Sequence, residues 1–79
     1  MSYRYQLDER VGCIAILDTQ HQDFSKRENG FRNGLGSDDT DVIYYATGKW
    51  ENGSWNVPKE LKEEALRKLE YLNASSLSN

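Results

Sequence analysis

Apolar residues alternate with polar ones at two places along the chain, take up helical spacing near its end, and lose all period in between. Tyr3, Tyr5 and Leu7 alternate with Arg4 and Gln6, the two-residue period of a strand with one wet face. Asp8-Glu9-Arg10 reads as a short polar connection. Val11 to Leu17 is a nearly continuous apolar run, with Val11, Cys13, Ala15 and Leu17 on one face and Ile14 and Ile16 on the other. A run that short and apolar on both faces predicts a central strand, paired antiparallel to the first. From Asp18 to Asp41 the period vanishes. Gly30, Gly34 and Gly36, among Asn29, Asn33, Asp38 and Asp39, make residues 18–41 a long irregular loop, with Phe24, Phe31 and Leu35 placed to pin it to the body.

Alternation resumes at Val42 and predicts a strand to Trp50, with Val42, Tyr44, Ala46, Gly48 and Trp50 on one face and Ile43, Tyr45, Thr47 and Lys49 on the other. Asn52-Gly53 supplies the positive φ angles of a two-residue type I′ turn, so Trp50 and Trp55 should face each other across a hairpin. The segment Trp50 to Trp55 resembles the turn of designed tryptophan-zipper peptides; the likeness covers only this stretch and implies hairpin stability alone. Pro58 suits the first position of a helix, and Glu60 and Glu63 lie near the positive end of its dipole. Leu61, Ala65, Leu66, Leu69 and Leu72 form one apolar stripe, while Glu63/Arg67 and Glu64/Lys68 are i,i+4 pairs on the wet side.

These elements predict an α+β fold, a small antiparallel sheet of about four strands in the order ββ-loop-ββα, with the C-terminal amphipathic helix packed on one face. Residues 1–73 read as a single domain and 74–79 as a flexible tail. The short link after Val57 should lay the helix over the Trp50, Trp55, Val57 and Tyr44 side, making the tryptophan pair core; an exposed ligand platform is the other reading. Ile43, Tyr45 and one of Ile14 or Ile16 are then left on a reverse face that a single helix cannot shield.

With 79 residues the chain has room for one modest core. Its 37% hydrophobic content argues against general disorder. The single cysteine, Cys13, allows neither an internal disulfide nor a CxxC site and fits a reducing cytoplasm; within an apolar run it reads as a buried thiol. No charged leader precedes an apolar core and no apolar run approaches membrane length, so no membrane association and a cytoplasmic location are expected. A formal net charge of −3 supplies no general attraction to nucleic acid or anionic lipid.

Chemistry-bearing patterns are sparse. Asp18, His21 and Asp23 could ligate a divalent ion but offer too few nitrogen or sulfur donors for zinc, and Asp38-Asp39-Thr40-Asp41 lacks the spacing of a calcium loop. The glycines form no phosphate-binding motif, and neither Ser37 nor Cys13 stands in triad spacing with His21. No cofactor, metal or catalytic residue is assigned. The leading reading is a small non-enzymatic module that binds a protein partner or itself through the uncovered sheet face and the long loop, with Phe24, Phe31, Arg32, Ile43 and Tyr45 as contacts. The alternative is a nucleic-acid or anionic-ligand binder, in which Lys26, Arg27 and Arg32, interleaved with Phe24 and Phe31, contact phosphates. A small metal-dependent enzyme centred on His21 is the third reading.

Overall fold

The computed structural model describes residues 3–28 and 39–77. Among these described residues five strands and two helices follow in the order β1 (Tyr5–Arg10), β2 (Cys13–Asp18), α1 (Gln22–Glu28), β3 (Val42–Thr47), β4 (Lys49–Glu51), β5 (Ser54–Asn56) and α2 (Lys59–Leu77). The architecture is α+β, with an antiparallel three-stranded sheet ordered β1-β2-β3 and a separate hairpin, β4-β5. Asp8, Glu9 and Arg10 belong to β1 and pair with β2, so the polar connection expected there is strand. The turn is Val11-Gly12. Gly12 takes a φ of +82°, which a residue with a Cβ rarely adopts, and Val11 is pushed out to 89% exposure instead of joining the core.

β2 is the centre of the molecule. All six of its residues are buried, as a strand covered on both faces requires. Cross-strand partners share a face, so Leu7, Ile16 and Tyr44 lie together, as do Glu9, Ile14 and Ala46. α2 covers this side: Lys62 Nζ reaches Glu9 Oε2 at 3.4 Å and Lys68 Nζ stands 5.8 Å from the Tyr44 ring centroid. Ile14 and Ile16 are fully buried beneath it, not left on the reverse face. On that reverse face Cys13, Ala15 and Leu17 are also buried.

The expected loop at 18–41 contains a helix. Its short sequence, Gln22 to Glu28, carries a single buried apolar residue, Phe24, too few to show a period. Side chains hold it instead. Arg27 donates from Nε to Asp41 Oδ2 and from Nη2 to Asp41 Oδ1, both at 2.9 Å, and from Nη2 to Asp39 Oδ2 at 3.0 Å. Thr40 donates through its hydroxyl to Asp23. The helix is thereby tied to the residues that lead into β3.

Two other polar contacts fix the sheet's end. Arg4 makes a two-pronged bond to Asp18, Nε to Oδ1 and Nη2 to Oδ2, each 3.0 Å. This guanidinium holds the Asp18 carboxyl below the usual carboxylate range, against the opposing effect of burial. A depressed folded-state pKa stabilises the fold above the unfolded value of about 3.9, and that contribution disappears as pH falls through the lower folded value. Acid unfolding of Asp18→Asn, followed by far-ultraviolet circular dichroism, should therefore show a shallower loss of stability below about pH 4 than the parent. An equal acid limb in both proteins would contradict this.

Asn73 closes the β1 edge. Its Oδ1 accepts from the Tyr5 backbone N–H at 3.0 Å and its Nδ2 donates to the Tyr5 carbonyl at 3.2 Å, so one side-chain amide takes the place of a neighbouring strand. The residue is buried and α2 continues beyond it to Leu77, through positions expected to be a flexible tail.

Candidate functional site

The expected strand from Val42 to Trp50 breaks at Gly48. A Cβ at Gly48 would stand 2.1 Å from the Asn56 carbonyl oxygen, a distance no side chain tolerates, and the Gly48 N–H donates to the Gly12 carbonyl at 2.8 Å. Backbone thus crosses backbone where only glycine fits. Beyond this crossing the chain leaves the main sheet and forms the β4-β5 hairpin as an arm.

The arm's turn is the one its residues specify. Asn52 at φ 51° and Gly53 at φ 81° form the type I′ geometry, and Trp50 pairs directly with Trp55. Their rings meet edge to face, with centroids 5.7 Å apart and planes at 71°. The pair is not beneath the helix. Trp50 is 59% exposed, Trp55 is 49% exposed, and every residue of both strands is exposed. The expectation of a tryptophan core fails because the break at Gly48 detaches β4 from β3, so that Trp50 no longer shares a face with Tyr44.

Trp55 is seated at one point. A Cβ on Gly12 would lie 2.9 Å from Trp55 Cβ, so the missing side chain of Gly12 is what lets the indole rest on the β1-β2 turn. Beside it opens a shallow cleft of about 300 Å³ lined by Val11, Gly12, Cys13, Tyr45, Thr47 and Trp55. None of these six carries a formal charge. Tyr45 and Cys13 face each other here, and the thiol contact, followed by burial, raises the phenol pKa above its ordinary value. Val11, Trp55 and Trp50 are all exposed; Val11 and Trp55 border this cleft and Trp50 touches Trp55.

Of the contacts expected from the sequence, Ile43 is 41% exposed and Tyr45 is half-buried at the cleft. Ile43 is the odd residue at a bulge, where the β2-β3 register shifts between Ile16 and Leu17. Phe24 is 6% exposed and belongs to the core instead of a docking surface. Phe31 and Arg32 lie outside the described residues, as do Leu35, Ser37, Asp38 and the three loop glycines. For the anion-binding alternative, Arg27 is buried and committed to Asp41 and Asp39, while exposed Lys26 lies 3.7 Å from Asp23.

The two carboxylates grouped with His21 in the sequence have further partners, and Asp23 Oδ2 lies 3.9 Å from His21 Nδ1. Asp18 holds Arg4, and Asp23 accepts from Thr40. His21 Nδ1 accepts the Asp23 backbone N–H at 3.0 Å, which caps the start of α1. Among the described residues no three His, Cys, Asp or Glu side chains converge as a metal-binding set. A second hollow, about 340 Å³, lies at the other end of the molecule between Tyr3 and the α2 residues Leu69, Glu70, Asn73 and Ala74. It is bounded by Asn73, whose amide is spent on the β1 edge.

The exposure of Trp50 and Trp55 matches the less favoured reading of the pair, and that of Val11 runs against its expected place in the core. The signal available was Gly48: a glycine within a strand pattern marks a close backbone approach or a break in the ladder. Among the described residues no helix is long and apolar enough to cross a membrane. No protein-family model matches this chain, and comparison with curated proteins and with solved structures returns no match.

Proposed function

We propose that this chain is a small protein-interaction module whose contact surface is the tryptophan arm and the cleft at its base. One observation carries the reading: two large indoles stand exposed on a hairpin that contributes no buried residue to the core. Half-exposed tryptophans leave apolar area in water that the fold recovers only by contact with another molecule. Both indole N–H groups are without a protein partner among the described residues, and an interface could use them as donors. Aromatic anchors of this kind carry a large share of binding energy at interfaces. The seating of Trp55 on Gly12 and the crossing at Gly48 hold the arm in a fixed direction, which lowers the ordering cost of docking.

The anion-binding reading has less support, because the Arg27 guanidinium is enclosed with its two carboxylates. Affinity capture from the source cell distinguishes the two. A partner retained by the parent chain should be lost from Trp50→Ser/Trp55→Ser, with backbone amide chemical shifts of the main sheet unchanged. A partner held equally by both chains, or released only when Lys26 is neutralised, would contradict the arm as the contact surface.

A further inference from the structure

We propose that Asn52 is a modification site, at which the Gly53 backbone nitrogen closes on the Asn52 side-chain amide and converts the residue, without an enzyme, to aspartate or isoaspartate. The reaction needs only water. Once deprotonated, the Gly53 nitrogen attacks Asn52 Cγ: a new N–C bond forms, the bond from Cγ to Nδ2 breaks, and ammonia leaves with the proton, closing a five-membered imide. Water then opens the ring at one of two bonds. Cleavage between Cγ and the ring nitrogen restores the ordinary main chain as aspartate, while cleavage at the Asn52 backbone carbonyl carbon routes the main chain through Cγ as isoaspartate. No electrons are gained or lost.

The fold leaves both reacting groups open. Asn52 and Gly53 are exposed, a Cβ built on Gly53 would meet nothing within 4 Å, and neither the Asn52 side-chain amide nor the Gly53 N–H makes a hydrogen bond among the described residues. Nothing shields the nucleophile. Ring closure requires the turn to swing out of its type I′ geometry, in which Asn52 holds a left-handed φ of 51° that already costs an L-residue energy. The hairpin resists weakly: β4 and β5 are three residues each, and among the described strands they pair only with one another, an arrangement that is marginally stable in water. Two other asparagines are guarded. Asn56 is followed by the branched Val57, and its Nδ2 donates to the Ser54 carbonyl at 3.4 Å and to Ser54 Oγ at 3.2 Å. Asn73 is buried in α2 with both amide atoms bonded to Tyr5. The pairs Asn29-Gly30 and Asn33-Gly34 lie outside the described residues.

The two products differ in what they do to the arm, whatever the arm touches. Asp-Gly suits a type I′ turn as Asn-Gly does, so the aspartate form keeps Trp50 opposite Trp55. Isoaspartate adds a methylene to the main chain between Glu51 and Ser54, in a turn whose two-residue length sets the register, and the indoles lose their edge-to-face contact.

The full chain, held folded at mildly alkaline pH, digested in mild acid and mapped by mass spectrometry, reads the site directly. Conversion at Asn52, with aspartate and isoaspartate both present, should run at least about 10-fold faster than at Asn56 or Asn73, a barrier lower by about 1.4 kcal/mol or more. The map reads Asn29 and Asn33 separately. After separation by ion exchange, the isoaspartate form should lose the circular-dichroism couplet of the paired indoles, whereas Asn52→Asp should keep it. Conversion at Asn52 no faster than at Asn56 and Asn73, or conversion without isoaspartate, would overturn the site. An isoaspartate form that keeps the couplet, or an Asn52→Asp chain that loses it as well, would overturn the link from backbone insertion to the tryptophan register.

Discussion

Asp41→Ala is expected to cost about 3–5 kcal/mol, the range seen when one member of a buried ion pair is removed. Asp41 is fully buried, and both of its carboxylate oxygens accept from Arg27, which is itself enclosed. Without Asp41 the guanidinium keeps Asp39 but loses the partner that most strongly favours its charge. A domain of this length has a total stability on the order of 4–12 kcal/mol, so the loss is about a quarter of it or more and the unfolding midpoint should fall well below the parent's. Urea unfolding followed by circular dichroism measures the loss. A midpoint within experimental error of the parent would show that the clamp contributes nothing. Arg27→Met/Asp41→Leu should be less damaging than Asp41→Ala, since it leaves no buried guanidinium behind.

Gly48→Ala is expected to be nearly as severe, about 2–3 kcal/mol, through a different cause. The new Cβ would meet the Asn56 carbonyl, its carbon and Val57 Cα, all backbone atoms that cannot rotate away. Either the crossing opens or β5 moves. In both cases Trp55 leaves its seat on Gly12, so tryptophan emission should shift to the red together with the loss of stability. A variant as stable as its parent, with unchanged emission, would contradict the geometry of the crossing.

These two residues also show where the fold could be read from the sequence and where it could not. The I′ hairpin at Asn52-Gly53, the central strand β2 and the helix α2 are written in local turn chemistry and period, and all three are present, although Val11 falls in the turn before β2 and Leu66 of the expected stripe is exposed. α1 is not. It is a short helix with one buried apolar residue, and what holds it is a pair of aspartates twelve and fourteen positions along, which no local window joins to Arg27. The loss of the strand at Gly48 is similar in kind. Period alone carries the alternation through Gly48 to Trp50, whereas the backbone of Asn56 passes so close that the ladder ends there. That single break turns Trp50 and Trp55 from expected core into exposed surface. It also moves the candidate contact surface from the reverse sheet face to the arm, keeping only Tyr45 in common at the cleft. Asn73 is a further case, a polar residue near the end of the helix pattern whose part in satisfying the β1 edge no local window could show.

The most direct test of the tryptophan arm as an exposed surface is a nuclear Overhauser spectrum of the dilute chain, read at the two indole side chains. Cross-peaks between Trp50 and Trp55 and from Trp55 to Gly12, with indole N–H protons exchanging rapidly with water, are the expected result. Cross-peaks from Trp50 to the methyl groups of Leu61 or Leu66 in α2, with indole protons protected from exchange, would place the pair in the core and contradict it.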